Sequence, residues 1–224
     1  MSEINLLSNN DGPLQWVVGA FYLDETTPVQ VLRDNRNTVD FIESTSTIDT
    51  EAVNRSASVF GQFEYRFSDA WSVDVGVRYS DDKQEYTRFL LPGPPPPGCF
   101  PCMTTAESTQ TTGRVGLKYR LSGDTLLYAT ASKGYKAGGV NLDPRLDAYA
   151  PETNKVAELG WKSTLADGRL RVNGALFYSD YEGIQLSALT PVSGTLLPNT
   201  LNAAPARIYG VEVEMTGQFG ALGF

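Results

Sequence analysis

The chain has 224 residues, 26 of them acidic and 18 basic, for a net charge of −8. No basic face is available to neutralise phosphates, which argues against nucleic acid as a partner. Histidine is absent, so histidine triads, histidine general bases and most zinc sites are excluded.

In chain order, Glu3 to Leu7 reads as the tail of a strand, and Asn9-Asn10-Asp11-Gly12-Pro13 as a dense turn signal. Leu14 to Leu23 is a strand whose poor alternation assigns no faces. The polar stretch from about Asp24 to Thr50 has no period and reads as a long loop. From Ser56 to Phe67, Ala57, Val59, Phe63, Tyr65 and Phe67 share one face, and Ser58, Gln62, Glu64 and Arg66 the other. Ser68-Asp69-Ala70 turns the chain into Trp71 to Tyr79, which sets Trp71, Val73, Val75, Val77 and Tyr79 against Ser72, Asp74, Gly76 and Arg78. About Ser80 to Ser108 holds four consecutive prolines, Pro94 to Pro97, and is expected to be irregular or polyproline chain. Gly113 to Leu121 alternates again, with Arg114, Lys118 and Arg120 on one parity. Ser122-Gly123-Asp124 turns into a weaker strand, Thr125 to Lys136, and a third long loop spans about Ala137 to Glu152.

Lys155 to Tyr181 is the clearest hairpin. Ala157, Leu159 and Trp161 oppose Glu158, Gly160 and Lys162, and after Leu165-Ala166-Asp167-Gly168 the residues Leu170, Val172, Leu176 and Tyr178 oppose Arg169, Arg171 and Asn173. A fourth loop follows from about Gly183 to Pro205. Ile208 to Gly217 then sets Tyr209, Val211, Val213 and Met215 against Gly210, Glu212 and Glu214. Short turns and long loops alternate along the chain. In an up-and-down meander this places every short turn at one end and every long loop at the other. No amphipathic helix is evident, so a βαβ fold is out.

The charges within strands keep to one parity: Glu64, Arg66, Asp74, Arg78, Arg114, Lys118, Arg120, Glu158, Lys162, Arg169, Arg171, Glu212 and Glu214. Hydrocarbon would purge Lys or Arg at roughly 2–4 kcal/mol each, whereas a watery lumen tolerates them, so these residues are expected to face a lumen. Aromatics gather near strand ends, at Tyr65, Phe67, Trp71, Tyr79, Tyr119, Phe177 and Tyr178, as interfacial girdles would. The expected fold is all-β, an antiparallel up-and-down meander of about eight long strands plus a partial one, forming part of a large transmembrane β-barrel. A soluble β-sandwich or propeller also alternates, but its strands are usually about 5–6 residues long.

Other motifs carry less. Glu212 and Glu214, with Glu158 on a comparable parity, suggest a glycosidase pair, yet neighbours on an open strand lack the pocket that would split their pKa values. A salt-bridged wall is the better reading. Lys133 and Lys136, in Lys-Gly-Tyr-Lys-Ala-Gly-Gly, mark the entry to a loop; a phosphate cradle would need a helix start, so a mobile hinge is preferred. The acids Asp24, Glu25, Asp34, Asp40 and Glu43 lack calcium-loop spacing and read as solvated surface. Cys99 and Cys102 lack the extra ligands of a zinc site and follow prolines rather than a strand-to-helix turn. A loop disulfide in an oxidising compartment is favoured, with two free thiols as the alternative. No catalytic residue, metal site or cofactor is assigned. No apolar run would span a bilayer as a helix, and no leader opens the chain, so it is either cytoplasmic or a piece of a longer protein.

Gly12 to Glu25, Ser58 to Asp82, Gly113 to Asn141, Pro151 to Gln185 and Ile208 to Met215 together resemble the barrel of TonB-dependent outer-membrane receptors, in order and spacing. The resemblance implies a transporter rather than an enzyme, in the outer membrane of a Gram-negative bacterium. It implies active uptake of a scarce nutrient such as a ferric siderophore, energised through TonB. Expected partners are TonB, reached through a plug region, outer-membrane lipid and a small iron chelate. Residues 1–224 would form a partial barrel, with the plug domain and remaining strands absent. The alternatives are a small complete outer-membrane barrel serving as anchor or adhesin, and a soluble β-rich carbohydrate-binding domain.

Overall fold

The computed structural model describes the whole chain except residues 37–42, 91–101, 144, 193–194 and 219–224. Eleven strands follow one another: β1 (Ser2–Leu7), β2 (Leu14–Arg36), β3 (Glu43–Arg66), β4 (Trp71–Leu90), β5 (Cys102–Arg120), β6 (Thr125–Lys136), β7 (Glu152–Leu165), β8 (Leu170–Glu182), β9 (Gln185–Val192), β10 (Thr195–Asn202) and β11 (Ala206–Gly217). Nine form one sheet in the order β1-β2-β3-β4-β5-β6-β7-β8-β11, and β9 and β10 form a separate hairpin. Every pairing is antiparallel.

Three expected loops are corrected. The stretch from Asp24 to Thr50 is paired strand over most of its length, because β2 and β3 stay in register out to Arg36 and Glu43. The stretch from Ser80 to Ser108 is likewise mostly strand, as β4 runs to Leu90 and β5 opens at Cys102; Pro94 to Pro97 lie outside the described residues. The loop from Gly183 to Pro205 contains β9 and β10. The cause is common to all three. Where both faces of a strand meet water, backbone pairing persists but neither parity needs to be apolar, so the period of two vanishes.

Cross-strand rows reveal the tilt. One row runs Trp71, Tyr119, Leu127, Trp161, Gly174 and Val213 across β4 to β11. The β3–β4 turn ends on this row, since Trp71 opens β4. The β5–β6 turn begins two residues below it (119 to 121), and β7 ends four residues below it (161 to 165). The turns thus descend about one residue per strand. A rise of about 3.4 Å per strand spacing of about 4.8 Å corresponds to a tilt of roughly 35°, within the range of transmembrane barrels.

Burial is inverted relative to a soluble sheet. On the apolar face Val77 is 50% and Leu159 57% exposed, while on the charged face Asp74 is 6% and Ser80 3% exposed. Among the described residues no large side chain is fully buried. Among the described residues substantial strand–strand contact is confined to sheet neighbours, so no second layer of them covers the apolar face. On β4 that face runs nine residues (71 to 79). At about 3.4 Å per residue and a tilt of roughly 35°, this gives a band about 25 Å tall, the height of an outer-membrane barrel's lipid zone.

Aromatics and charges frame the band. At the short-turn end the rings of Trp71 and Tyr119 lie 4.4 Å apart, and those of Phe67 and Trp71 6.3 Å apart. At the other end, Tyr178 and Tyr209 pair across β8 and β11. Phe177 is corrected: it shares the parity of Glu158 and Gly210 on the charged face, with its ring packed against Gly210. Beyond the band the apolar parity turns ionic. Arg55 reaches Asp24 at 3.5 Å and Glu85 at 3.1 Å, and Lys83 reaches Glu85 at 3.2 Å and Glu107 at 3.3 Å.

Candidate functional site

The charged face and the long-loop end together build the site. On the charged face, Lys118 bridges Glu64 at 2.9 Å and Asp74 at 3.2 Å, and Arg114 adds a 3.6 Å contact to Asp74. Gly116 makes this possible, since a Cβ there would meet the Asp74 carboxylate at 2.6 Å. Arg78 lies 5.6 Å and 5.5 Å from the ring centres of Phe21 and Phe60. Tyr128 donates to Glu158 at 2.6 Å, and Lys162 lies 5.8 Å from the Tyr128 ring centre. Asn173 donates to Glu214 at 3.3 Å, and Glu212, Glu214, Glu158 and Lys162 border one open depression. Arg66 and Arg171 share this face by register. Arg169 is corrected: it belongs to the β7–β8 turn, where its N–H bonds the Ala166 carbonyl, and is not on the strand wall.

The loop-entry lysines separate. Lys133 lies in the row of Gly113 and Lys155 and donates to Gln110 at 3.3 Å, whereas Lys136 pairs with Glu152. Past Lys136 the chain doubles back through a bridge between Gly139 and Tyr149. This β6–β7 loop lies over the charged face of β4 and β5. The Gly138 N–H bonds Ser108 Oγ at 3.0 Å, and the Val140 N–H bonds Gln84 Oε1 at 2.9 Å. A Cβ at Gly138 would sit 2.5 Å from the Tyr149 carbonyl, so the close approach requires glycine.

The β9–β10 hairpin is stitched to the same loop. The Asn141 amide donates to the Thr200 carbonyl at 3.0 Å and accepts from the Thr200 N–H at 2.7 Å, copying a strand pairing. Asn202 does the same for Ala150, accepting at 2.7 Å and donating at 2.9 Å. Wall, loop and hairpin border a partly open cavity of about 340 Å³ lined by Tyr86, Arg88, Val140, Asn141, Asp143 and Leu197, among others. Tyr86 and Leu197 are buried, and Arg88 meets Asp143 at 3.6 Å. Arg145 grips the Asp143 carboxylate at 2.8 Å and 2.9 Å and holds its pKa below the ordinary range.

This cluster is not announced by any motif in the sequence. One signal was present: continuing the charged parity of β4 past Arg78 gives Ser80, Asp82, Gln84, Tyr86 and Arg88. Nothing in the sequence announces that Asn141 and Asn202 bond distant backbone. Among the described residues no His, Cys, Asp or Glu cluster is arranged to hold a metal. Asp24 is paired to Arg55, and Asp40 lies outside the described residues. Cys102 is buried at the start of β5, and Cys99 lies outside the described residues.

The family model for the TonB-dependent receptor-like β-barrel matches residues 3–224. The chain belongs to the TonB-dependent receptor barrel family. It is 29% identical over 192 residues to a pesticin receptor of Yersinia enterocolitica, covering 83% of this chain and 26% of that protein. It is 30% identical over 159 residues to a metal-pseudopaline receptor of Pseudomonas aeruginosa, covering 70% of this chain and 21% of that protein. The fold overlays the ferric yersiniabactin uptake receptor of Yersinia pestis with a TM-score of 0.75 at 22% identity, covering 98% of this chain and 32% of that one. The chain thus spans about a quarter of the curated relatives, 26% of the first. As a TonB-dependent receptor barrel it resides in the Gram-negative outer membrane.

Proposed function

We propose that this chain is part of an outer-membrane active transporter that takes up a scarce nutrient, most simply a metal chelate such as a ferric siderophore, with energy delivered through TonB. The observation that carries the reading is the cavity. A loop and a hairpin from the long-loop end fold inward over the charged face and border a partly open space of about 340 Å³ against it. Small-molecule sites are commonly concave, mostly apolar and fitted with a few fixed polar groups, as this one is. The relatives named above are receptors for pesticin, metal-pseudopaline and ferric yersiniabactin, and the two metal-bound ligands favour a metal chelate as cargo here. In this reading the charged face lines a lumen, and Glu64, Asp74, Arg114, Lys118, Glu158, Lys162, Glu212 and Glu214 form its wall. No strand covers the outer edge of β1 or β11 among the described residues. Open edges are not tolerated in hydrocarbon, so further strands of the parent protein complete the barrel. A plug region of that protein would contact TonB. Cys99 and Cys102 would form a loop disulfide.

The test is uptake of radiolabelled iron by cells expressing the full-length receptor in a strain lacking its own chelate receptors. Ferric yersiniabactin and ferric pyoverdine are the first probes. Saturable uptake that disappears when TonB is deleted is expected. Uptake that ignores TonB, or none with any metal chelate, would remove the proposal.

A further inference from the structure

We propose that Arg88 exchanges partners during ligand capture: an anionic group of the ligand takes its guanidinium from Asp143 and so releases the β6–β7 loop from the wall. The inference rests on the receptor reading above and concerns the working of the same cavity. Arg88 stands on the charged face two residues after the buried Tyr86, and only 12% of its side chain is exposed. Its Nε is buried without a hydrogen-bond partner. A buried guanidinium donor left idle is costly, so the site is poised to accept an oxyanion. The planar fork suits a carboxylate or a similar flat anion.

Asp143 loses little when Arg88 leaves. Its tie to Arg88 is 3.6 Å long, whereas Arg145 holds both carboxylate oxygens at 2.8 Å and 2.9 Å. Those hydrogen bonds keep the carboxyl below its ordinary pKa, so Asp143 stays ionised and satisfied. Among the described residues Arg88 has no comparable second partner. Tyr86, Val140 and Leu197 line the cavity, and their apolar surfaces limit the water that would otherwise screen an incoming anion.

The exchange has a mechanical consequence. The loop's other ties to β4 and β5 are single hydrogen bonds to neutral side chains, Gly138 to Ser108 and Val140 to Gln84. Asn141 joins the loop to Thr200 of β10 by two bonds, so loop and hairpin respond together. Removing the ionic tie between Arg88 and Asp143 weakens the hold on both.

The test uses the full-length receptor purified in detergent, with trisodium citrate as the anionic probe and sodium chloride at matched ionic strength as control. Binding is read by saturation-transfer NMR. Citrate is expected to bind the wild type. Asp143→Asn removes the competitor and should lower the citrate Kd, by up to about tenfold. Arg88→Gln should raise it by about tenfold or more, and Arg88→Lys, which keeps the charge, should recover part of the loss. A merely structural pair predicts the same direction for both partners, since each substitution breaks one contact. Shifts of the same sign, or no citrate binding to the wild type, overturn the exchange. Opposite shifts in a receptor that imports no metal chelate would leave the exchange standing and remove the uptake reading.

Discussion

Val75 lies at the middle of the nine-residue band on β4, on the apolar face, and is 44% exposed. Replacing it with Arg puts a charge at mid-bilayer depth, which costs roughly 2–4 kcal/mol on the lipid face of a barrel. That is about a 30- to 1,000-fold change in the folding equilibrium. Gln62, exposed on the charged face two positions from Glu64, supplies the control. Gln62→Arg should cost under about 1 kcal/mol, because the wall already carries both signs of charge. Tyr79→Arg, at the band's rim, should fall near 0–1 kcal/mol, as the penalty fades with depth. The assay is urea unfolding of the full-length receptor refolded into phospholipid vesicles, followed by heat-modifiable electrophoretic mobility. Equal costs for Val75→Arg and Gln62→Arg would refute the two-sided sorting, and with it the placement of the apolar face against lipid.

Further outcomes follow from single contacts. Gly116→Ala should destabilise by about 1–3 kcal/mol in the same assay, because the new Cβ displaces the Asp74 carboxylate from Lys118 and Arg114. Arg55 and Asp24 are half exposed and Glu85 partly so, so Arg55→Ala should cost under about 1 kcal/mol and the loss should shrink further in high salt. Asp143 has a lowered pKa, so its contribution to holding the loop is complete above the ordinary carboxylate value of about 4. It is lost only as pH falls through that lowered value. A spin label at the exposed Leu142 should therefore report an unchanged loop at pH 5 and a loosened one in stronger acid. Asp143→Asn should abolish the transition. If Cys99 and Cys102 are bonded, thiol labelling of the denatured receptor should require prior reduction.

Legibility tracked the bilayer. Within the band lipid enforces contrast between parities, so the faces of β4, β7, β8 and β11 could be assigned from alternation alone. The short turns were legible for a different reason, the Asn, Asp, Ser and Gly residues that favour tight reversals. β2 resisted because its charged-face parity includes Val17, Phe21 and Leu23. Phe21 is there to flank Arg78, a cross-strand relation invisible along one strand. Above the band the contrast disappears and so did the assignment, although β2 and β3 continue for a dozen further positions in register. The cavity lies wholly in that region. Arg88 was recoverable by extrapolating parity, whereas the bonds of Asn141 and Asn202 depend on how two long connections fold, and no local pattern encodes that.

The tilt also accounts for where a site can form. The turns step down by about one residue per strand, yet β2 to β5 rise far beyond the ionic row of Asp24, Arg55, Lys83 and Glu107. On the other side β6 ends at Lys136 and β8 at Glu182, near the top of the band. The sheet is therefore a tall wall beside a low one. A concave space above the membrane needs something to stand on the low side, and the chain supplies it from the two connections that leave β6 and β8. Among the described residues their inward fold is held by side-chain amides bonding backbone, by the ionic tie at Arg88 and by burial of Val140, Leu146 and Leu197. Neither connection forms a strand ladder with the wall among the described residues, which leaves it easier to open than the sheet. It can yield to a ligand while the hydrogen-bonded wall beneath it stays fixed.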